Sequence, residues 1–469
     1  MMNKVQKYYD ENANLRMGIY AYHCPTDGNV YYDGVKYNVG QDFRTVERYK
    51  EYKDAGFNIF FPQDRAGYSG EEWETSRAKM EMDKAQQAGI EKTILLDKRI
   101  MELSNSYPDG LIGEGKRFAT EADLDTYISN CLQAYCNHPI FYGIYLMDEP
   151  KYQYLKSIGQ IYHSIKRVNP NVFVQCNLYP LFFSTQGNPF YPPEGDLETM
   201  FQNYLLMFLE ETGAKQIMYD HYPLAFEKGK GLYQHYIRGL QIAAGICRDK
   251  NVDFHFIMQS FSLIYNGNSG FRMPTEADMY WQVNLLLGYG VKELVYYTYW
   301  NFSGSRLTAF HPDKTAIISN AGERTYLYYV AQKLNAMIQK LAPVIMNFKY
   351  LDDAYAVHYP CKSEPMHLRH TRSGKLKNVR SIKTDKEIAF VSEMYDEKKD
   401  QYLYRIMNGM ETVFEAEEDE PQTTEIVFDE KYKKADVFDG ESWKTVTLEN
   451  GKYTVTLRAG MGVFVAIYE

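Results

Sequence analysis

Short apolar runs alternate with amphipathic stretches of helical length from about residue 17 to about residue 341. The runs at 17–22, 57–62, 93–97, 141–147, 172–177, 216–220, 254–259 and 294–299 are each bounded by polar or turn residues. That is the pattern of parallel strands buried on both faces. Between them, the apolar spacing predicts helices over 43–55, 71–88, 122–135, 152–168, 197–211, 232–249, 276–287 and 324–341. Thr120 followed by Asp123, and Thr275 followed by Asp278, resemble capping boxes with Asp in place of Glu. Gly56, Gly89 and Gly213 stand where helices should stop. Eight strands and eight helices in strict alternation predict an α/β chain folded as a (β/α)8 barrel. A doubly wound open sheet is the alternative. It needs a Gly-rich phosphate loop after its first strand, and here that strand runs into His23-Cys24-Pro25-Thr26-Asp27-Gly28.

Beyond about residue 345 the period shortens to that of strands. Alternating segments at 387–391, 401–407, 425–428, 435–438, 444–446, 453–457 and 462–467 are separated by turns. Asn450-Gly451, with Thr445-Val446 before it and Tyr453-Val455 after it, predicts a hairpin. A chain of 469 residues exceeds what one core usually organises. The expected division is a barrel over 1–344 and a small all-β sandwich over 345–469.

Composition adds one informative feature. The chain holds 43 Tyr and 25 Phe against 4 Trp. Aromatic faces stack on the apolar faces of sugar rings while phenol hydroxyls reach the ring OH groups, although core packing accounts for such a content equally well. A net charge of −9 argues against nucleic acid or an anionic membrane as the main partner. No apolar run approaches the length of a membrane span. Cys131, Cys176 and Cys247 fall in apolar runs and read as free buried thiols. Cys131 and Cys136 share one predicted helix but different faces, which suits neither a disulfide nor a metal clip. The first residues carry no apolar signal segment, so the expected location is the cytoplasm, or the periplasm or exterior if a signal has been removed.

Barrel chemistry sits at the C-terminal ends of strands. The fourth strand ends in Asp148-Glu149-Pro150, where adjacent carboxylates repel and one can hold a proton near neutral pH. Helix capping is the competing reading. The sixth ends in Tyr219-Asp220-His221-Tyr222-Pro223, offering Asp220 as a base, a hydroxyl ligand or a loop-fixing acceptor. His221 has no His or Cys neighbour that suggests a metal, and no metal or other cofactor is expected. The seventh strand ends in Gln259-Ser260 without a carboxylate, so Gln259 is expected to orient a hydroxyl. The eighth ends in Tyr299-Trp300, with Trp300 a candidate sugar platform. Tyr22, Asp64 and Asn177 complete a polar, weakly charged mouth suited to a neutral polyol.

These residues resemble a known group. The run Gly143 to Pro150 resembles the strand-four acid/base motif of clan A glycoside hydrolases, which usually reads Asn-Glu-Pro. Tyr219 to Pro223 resembles the strand-six segment of family 42 β-galactosidases, and Trp300 resembles the platform Trp of that clan. The segment 316–325 resembles the part that leads into their last helix. The resemblance covers roughly residues 17–341 and implies that Glu149 is the acid/base. It departs at Asp148, where the usual Asn binds a sugar hydroxyl, and at the strand-seven nucleophile Glu, whose place falls on Met258 or Gln259.

The leading expectation is a glycoside hydrolase acting on a neutral glycan, with Glu149 as general acid and Asp220, or less readily Asp148, as second carboxylate. The alternative is a non-catalytic carbohydrate-binding barrel that has lost its nucleophile. A lyase or isomerase would need a metal cluster or a strand-exit Lys, for which Lys98 stands alone.

Overall fold

The computed structural model describes residues 4–27, 29–32, 35–38, 40–68, 70–182, 189–224, 235–265, 269–300, 316–319, 321–358, 372–409 and 421–469. The predicted helical residues 232–234 and the segment 301–315 lie outside them.

Seven regular strands and one bridging segment close the (β/α)8 barrel. The first strand, Gly18–Ala21, pairs in parallel with the eighth, Val291–Tyr297. The eighth pairs with the seventh, Asp253–Gln259, and the seventh with the sixth, Gln216–Asp220. A second group joins the third, Thr93–Leu96, to the fourth, Phe141–Asp148, and the fifth, Phe173–Asn177. Two narrow joints unite the groups. At one, a single bridge links Leu178 to Tyr219, with the Leu178 N–H donating to Met218 O at 2.8 Å. At the other, the segment 57–60 stands in place of the predicted second strand. Asn58 N donates to Ile19 O at 2.9 Å and Phe60 N to Lys92 O at 2.8 Å.

The segment 57–60 is not a regular strand for a local reason. The Asn58 side chain takes over ladder positions, accepting from Ile19 N and donating to Met17 O, each at 2.8 Å. Pro62, two residues on, has no N–H to extend the pairing. The eighth strand also differs. It begins at Val291 because Lys292 and Glu293, which mask the apolar pattern, are buried in it, and it ends at Tyr297 rather than 299. Beyond it, Tyr299 N donates to Tyr22 O and Trp300 N to His23 O, so the chain leaves the ring along the loop after the first strand.

The helices follow their predicted signals. Thr120 and Thr275 cap Glu121–Leu132 and Glu276–Gly288 as full capping boxes. Gly213 ends Leu197–Thr212 at φ 64°, a conformation a side chain would oppose. Two helices were not expected among the described residues: Gln6–Asn12 near the start, and Lys98–Ser106, which follows the third strand at once, capped by Asp97.

Strands from Lys349 to Tyr468 form two facing antiparallel sheets, of six and three strands. Val391, Tyr404, Ile426, Phe428 and Val465 pack between them. Asn450 and Gly451 make the expected tight turn, both at positive φ, with Lys452 N donating to Glu449 O at 3.0 Å. The flanking strands nevertheless part. Trp443–Thr447 joins the larger sheet and Lys452–Leu457 the smaller, so the turn is a crossover between sheets and not a hairpin. The larger sheet packs on the barrel. Buried Asp353 accepts from Gln241 Nε2 at 2.9 Å, Tyr289 Oη at 3.1 Å and the Tyr350 hydroxyl, tying it to the helix Tyr236–Lys250.

Candidate active site

The lower barrel interior is filled by Tyr20, Ile59, Ile94, Met218, Ile257 and Val295, with Tyr22 and Tyr145 above them. This packed plug pushes the open space to the strand ends. Gly143 lets the fourth and fifth strands approach closely, since a Cβ there would lie 2.4 Å from Phe173 O.

Asp148 ends the fourth strand with its side chain exposed at the mouth. Glu149 follows at φ 45°, in the left-handed region that a non-glycine residue enters at a cost of about 1–3 kcal/mol. Two bonds hold the turn there. The Glu149 N–H donates to Asn177 O at 2.8 Å, and the buried Tyr204 hydroxyl donates to Pro150 O at 2.6 Å.

Two of the three carboxylates meet around one amide. Asn177 Nδ2 donates to Asp148 Oδ1 at 2.8 Å and to Asp220 Oδ1 at 2.9 Å. The Tyr145 hydroxyl also donates to Asp148 Oδ1, at 2.9 Å. Asp220, buried at the end of the sixth strand, hydrogen-bonds the Glu149 carboxyl on its other side. Burial pushes Glu149 well above the carboxylate range, and the charges of Asp220 and Asp148 push it further. Burial and the Asp148 charge raise Asp220 as well, while Asn177 and Tyr222 hold it down through hydrogen bonds. Both carboxyls are thus pushed toward the protonated form. A pair flanking a glycosidic bond stands about 5–5.5 Å apart for retention or about 6.5–9.5 Å for inversion.

Around the pair, a cavity of about 150 Å³ is lined by Glu149, Asp220, His221, Tyr179, Tyr222 and Phe271, among others. Tyr179 stacks on Phe190 with ring centroids 3.9 Å apart. His221 is buried edge-on against Tyr236. Tyr22 is buried in an aromatic cluster with Phe61, Tyr145 and Tyr297. Asp64 lies apart from the three carboxylates, ion-paired to Arg44 at 2.5 Å.

Three expected ligands of the sugar are placed elsewhere. Gln259 is fully buried. Its Oε1 accepts from Leu224 N at 2.9 Å, and its Nε2 donates to Arg272 O at 3.0 Å and Phe261 O at 3.2 Å. Its amide fastens loops and has no atom turned to the mouth. Trp300 is fully buried against Phe43, with the Arg48 guanidinium over its ring. Tyr299 is buried edge-on against Tyr52 and Phe57. Both rings lie in the layer between barrel and helices, because the eighth strand ends two residues earlier than its apolar pattern suggests. The residue at that exit is Tyr297, half-buried, stacked on Tyr222 at 5.5 Å and edge-on to Phe261. Its position would have been legible had Lys292 and Glu293 been read as strand residues. Met258, the other residue at the place of a strand-seven nucleophile, is wholly buried.

Asp97 and Arg99 pair with one another at 2.6 Å, and Asp97 also accepts from Tyr135, a structural knot at the helix start. Among the described residues, no group of three His, Cys, Asp or Glu is placed to hold a metal ion, and no helix is long and apolar enough to cross a membrane.

No family model matches the chain, and no curated protein matches it. Solved structures do. An α-amylase from Anoxybacillus is 10% identical with a TM-score of 0.51, covering 96% of this chain and 97% of that one. An α-amylase from Geobacillus thermoleovorans, solved with acarbose, is also 10% identical with a TM-score of 0.51, covering 97% of this chain and 98% of that one. At that identity the likeness is one of fold. The chain has the architecture of TIM-barrel glycoside hydrolases that carry a C-terminal β domain.

Proposed function

We propose that the chain is a carbohydrate-active barrel that hydrolyses a glycosidic bond of a neutral glycan, with Glu149 as the general acid. The observation that supports this reading most is the pair of raised carboxyls at the fourth and sixth strand exits. Burial and the charges of Asp220 and Asp148 push Glu149 toward the protonated form a general acid needs. It stands in an aromatic-walled cleft lined by Tyr179, Tyr222 and Phe271, with Tyr297 packed behind Tyr222. Asp220 acts through Glu149, keeping its proton in place. Asp148, the exposed member of the cluster, is the carboxylate open to a water molecule at the mouth. The resemblance of the run Gly143 to Pro150 to the clan A strand-four motif supports the same assignment of Glu149, and the family 42 likeness of the segment Tyr219 to Pro223 makes β-galactosides the first substrates to try.

A second reading has its own observation. The strand-seven position carries Gln259, whose amide is fully engaged with backbone. That suits a barrel that binds glycans without cleaving them. One experiment separates the two. Turnover of aryl and natural β-galactosides is measured for the unaltered chain and for Glu149→Gln, with glycan affinity measured in parallel. Turnover that disappears in the variant while affinity persists supports hydrolysis. Binding without turnover in both proteins supports the second reading, and equal turnover in both would sink the assignment of Glu149.

A further inference from the structure

We infer that the base of the barrel, at the opposite end from the carboxylate cluster, is a second binding site, for a monosaccharide bearing an anionic group. A cavity of about 610 Å³ opens there among the N-terminal ends of the strands. That volume falls within the range of small-molecule sites, about 300–1,000 Å³. A barrel base that served stability alone would be filled by side chains.

The wall is aromatic. Tyr142 and Phe173 stack at 5.0 Å with an interplanar angle of 16°, and Phe173 stacks on His255 at 6.1 Å. The rim is basic in a chain whose net charge is −9. Arg16, Lys92, Lys166 and Lys215 line the cavity and outnumber its one exposed carboxylate, Asp253. Lys92 Nζ lies 4.6 Å from the Tyr142 ring centroid, and among the described residues neither Lys92 nor Lys215 has an acidic partner. Such a rim attracts an anion.

The depth of the cavity asks for something different. Glu293, 5% exposed, uses Oε1 to accept from Gln175 Nε2 at 2.9 Å and to meet His255 Nδ1 at 3.2 Å. Its Oε2 borders the cavity beside Gly18, where a Cβ would come within 2.7 Å of that oxygen. A bare phosphate would be repelled there. A hydroxyl would be welcome, since it donates to a carboxylate. Anion at the rim, the aromatic wall of Tyr142 and Phe173 beside it and hydroxyl to Glu293 together describe a sugar phosphate or a sugar acid.

Calorimetric titration of the full chain tests this with glucose 6-phosphate, glucuronate, glucose and inorganic phosphate. Saturable one-site binding of either anionic sugar is expected, and which one binds tells whether the site takes a phosphate or a carboxylate. Replacing the two exposed side chains, Lys92→Ala with Lys215→Ala, should weaken it at least about tenfold, the loss of one charge-assisted hydrogen bond. Phe173→Leu should weaken it as well, while Glu149→Gln should leave it unchanged. The inference is overturned if neither anionic sugar saturates, if glucose or phosphate binds equally well, or if the lysine variant binds as tightly as the unaltered chain. Sensitivity to Glu149→Gln would place the ligand at the mouth instead and would also overturn it.

Discussion

Gln259 and Leu224 are locked to each other at the end of the seventh strand, the Leu224 N–H donating to the Gln259 side-chain oxygen at 2.9 Å. The same amide's NH2 group serves Phe261 O and Arg272 O. Installing a carboxylate here should therefore fail to create a nucleophile. Gln259→Glu removes the donor from two buried carbonyls and sets a charge against them, at about 1–3 kcal/mol for each unsatisfied group. A lowered Tm in thermal unfolding, with no gain in glycosidase turnover, is the expected outcome. A stable variant with new turnover would contradict it.

The pH profile should report the Glu149 proton. Glu149 is raised by burial and then by Asp220 and Asp148, so hydrolysis falls on the alkaline side as Glu149 loses its proton. Asp220→Asn removes one like charge and lowers Glu149. The alkaline limb should move to lower pH, with the direction read from kcat/KM against pH. The stability sign follows the same shift. A carboxyl raised in the folded state adds stability that is complete below its unfolded value and lost as pH rises through the folded one. Unfolding measured at rising pH should show a smaller loss in Asp220→Asn.

Asn177 acts on the other limb. It is a hydrogen-bond donor that keeps Asp220 from rising further. In Asn177→Ala, Asp148 and Asp220 lose their common donor, and Asp220 ionises less readily. The acid limb of kcat/KM should shift upward, and stability should fall by about 1.5–3 kcal/mol, as for a hydrogen bond to a charged group. An unmoved acid limb would remove Asn177 from the cluster's electrostatics.

Tyr297 and Trp300 should separate binding from folding. Tyr297→Ala is expected to weaken glycan affinity by about tenfold, the upper part of the aromatic contribution. Trp300→Ala empties a fully buried site packed on Phe43 and should destabilise the chain by about 3–5 kcal/mol. Affinity and Tm measured on both variants decide this. Weakened affinity without loss of Tm in Trp300→Ala would reverse the assignment.

Much of the barrel was legible because parallel strands are continuously apolar and their helices carry caps. Thr275 marked its helix start to the residue, and Thr120 marked its cap with the helix beginning one residue before the predicted 122. The failures share a cause, which is that side chains competed with backbone pattern. Asn58 replaced ladder bonds with its amide. Lys292 and Glu293 hid the start of the eighth strand and carried the supposed platform two residues too far. Asn450-Gly451 specified its turn but not the divergence of the strands beyond it, which the two sheets impose. Within the candidate site, Asp148, Glu149 and Asp220 could be placed at strand exits from sequence. The contact between Glu149 and Asp220 could not, because it depends on the left-handed turn at Glu149 and on the joint between the fifth and sixth strands.

That joint gives the carboxyl pair a mechanical meaning. Glu149 belongs to the group formed by the third, fourth and fifth strands, and Asp220 to the group formed by the sixth, seventh, eighth and first. The two arcs meet there through a single bridge at Leu178. The carboxyl pair therefore straddles the joint between the two arcs, so a change of charge on either group is felt where that bridge holds the ring.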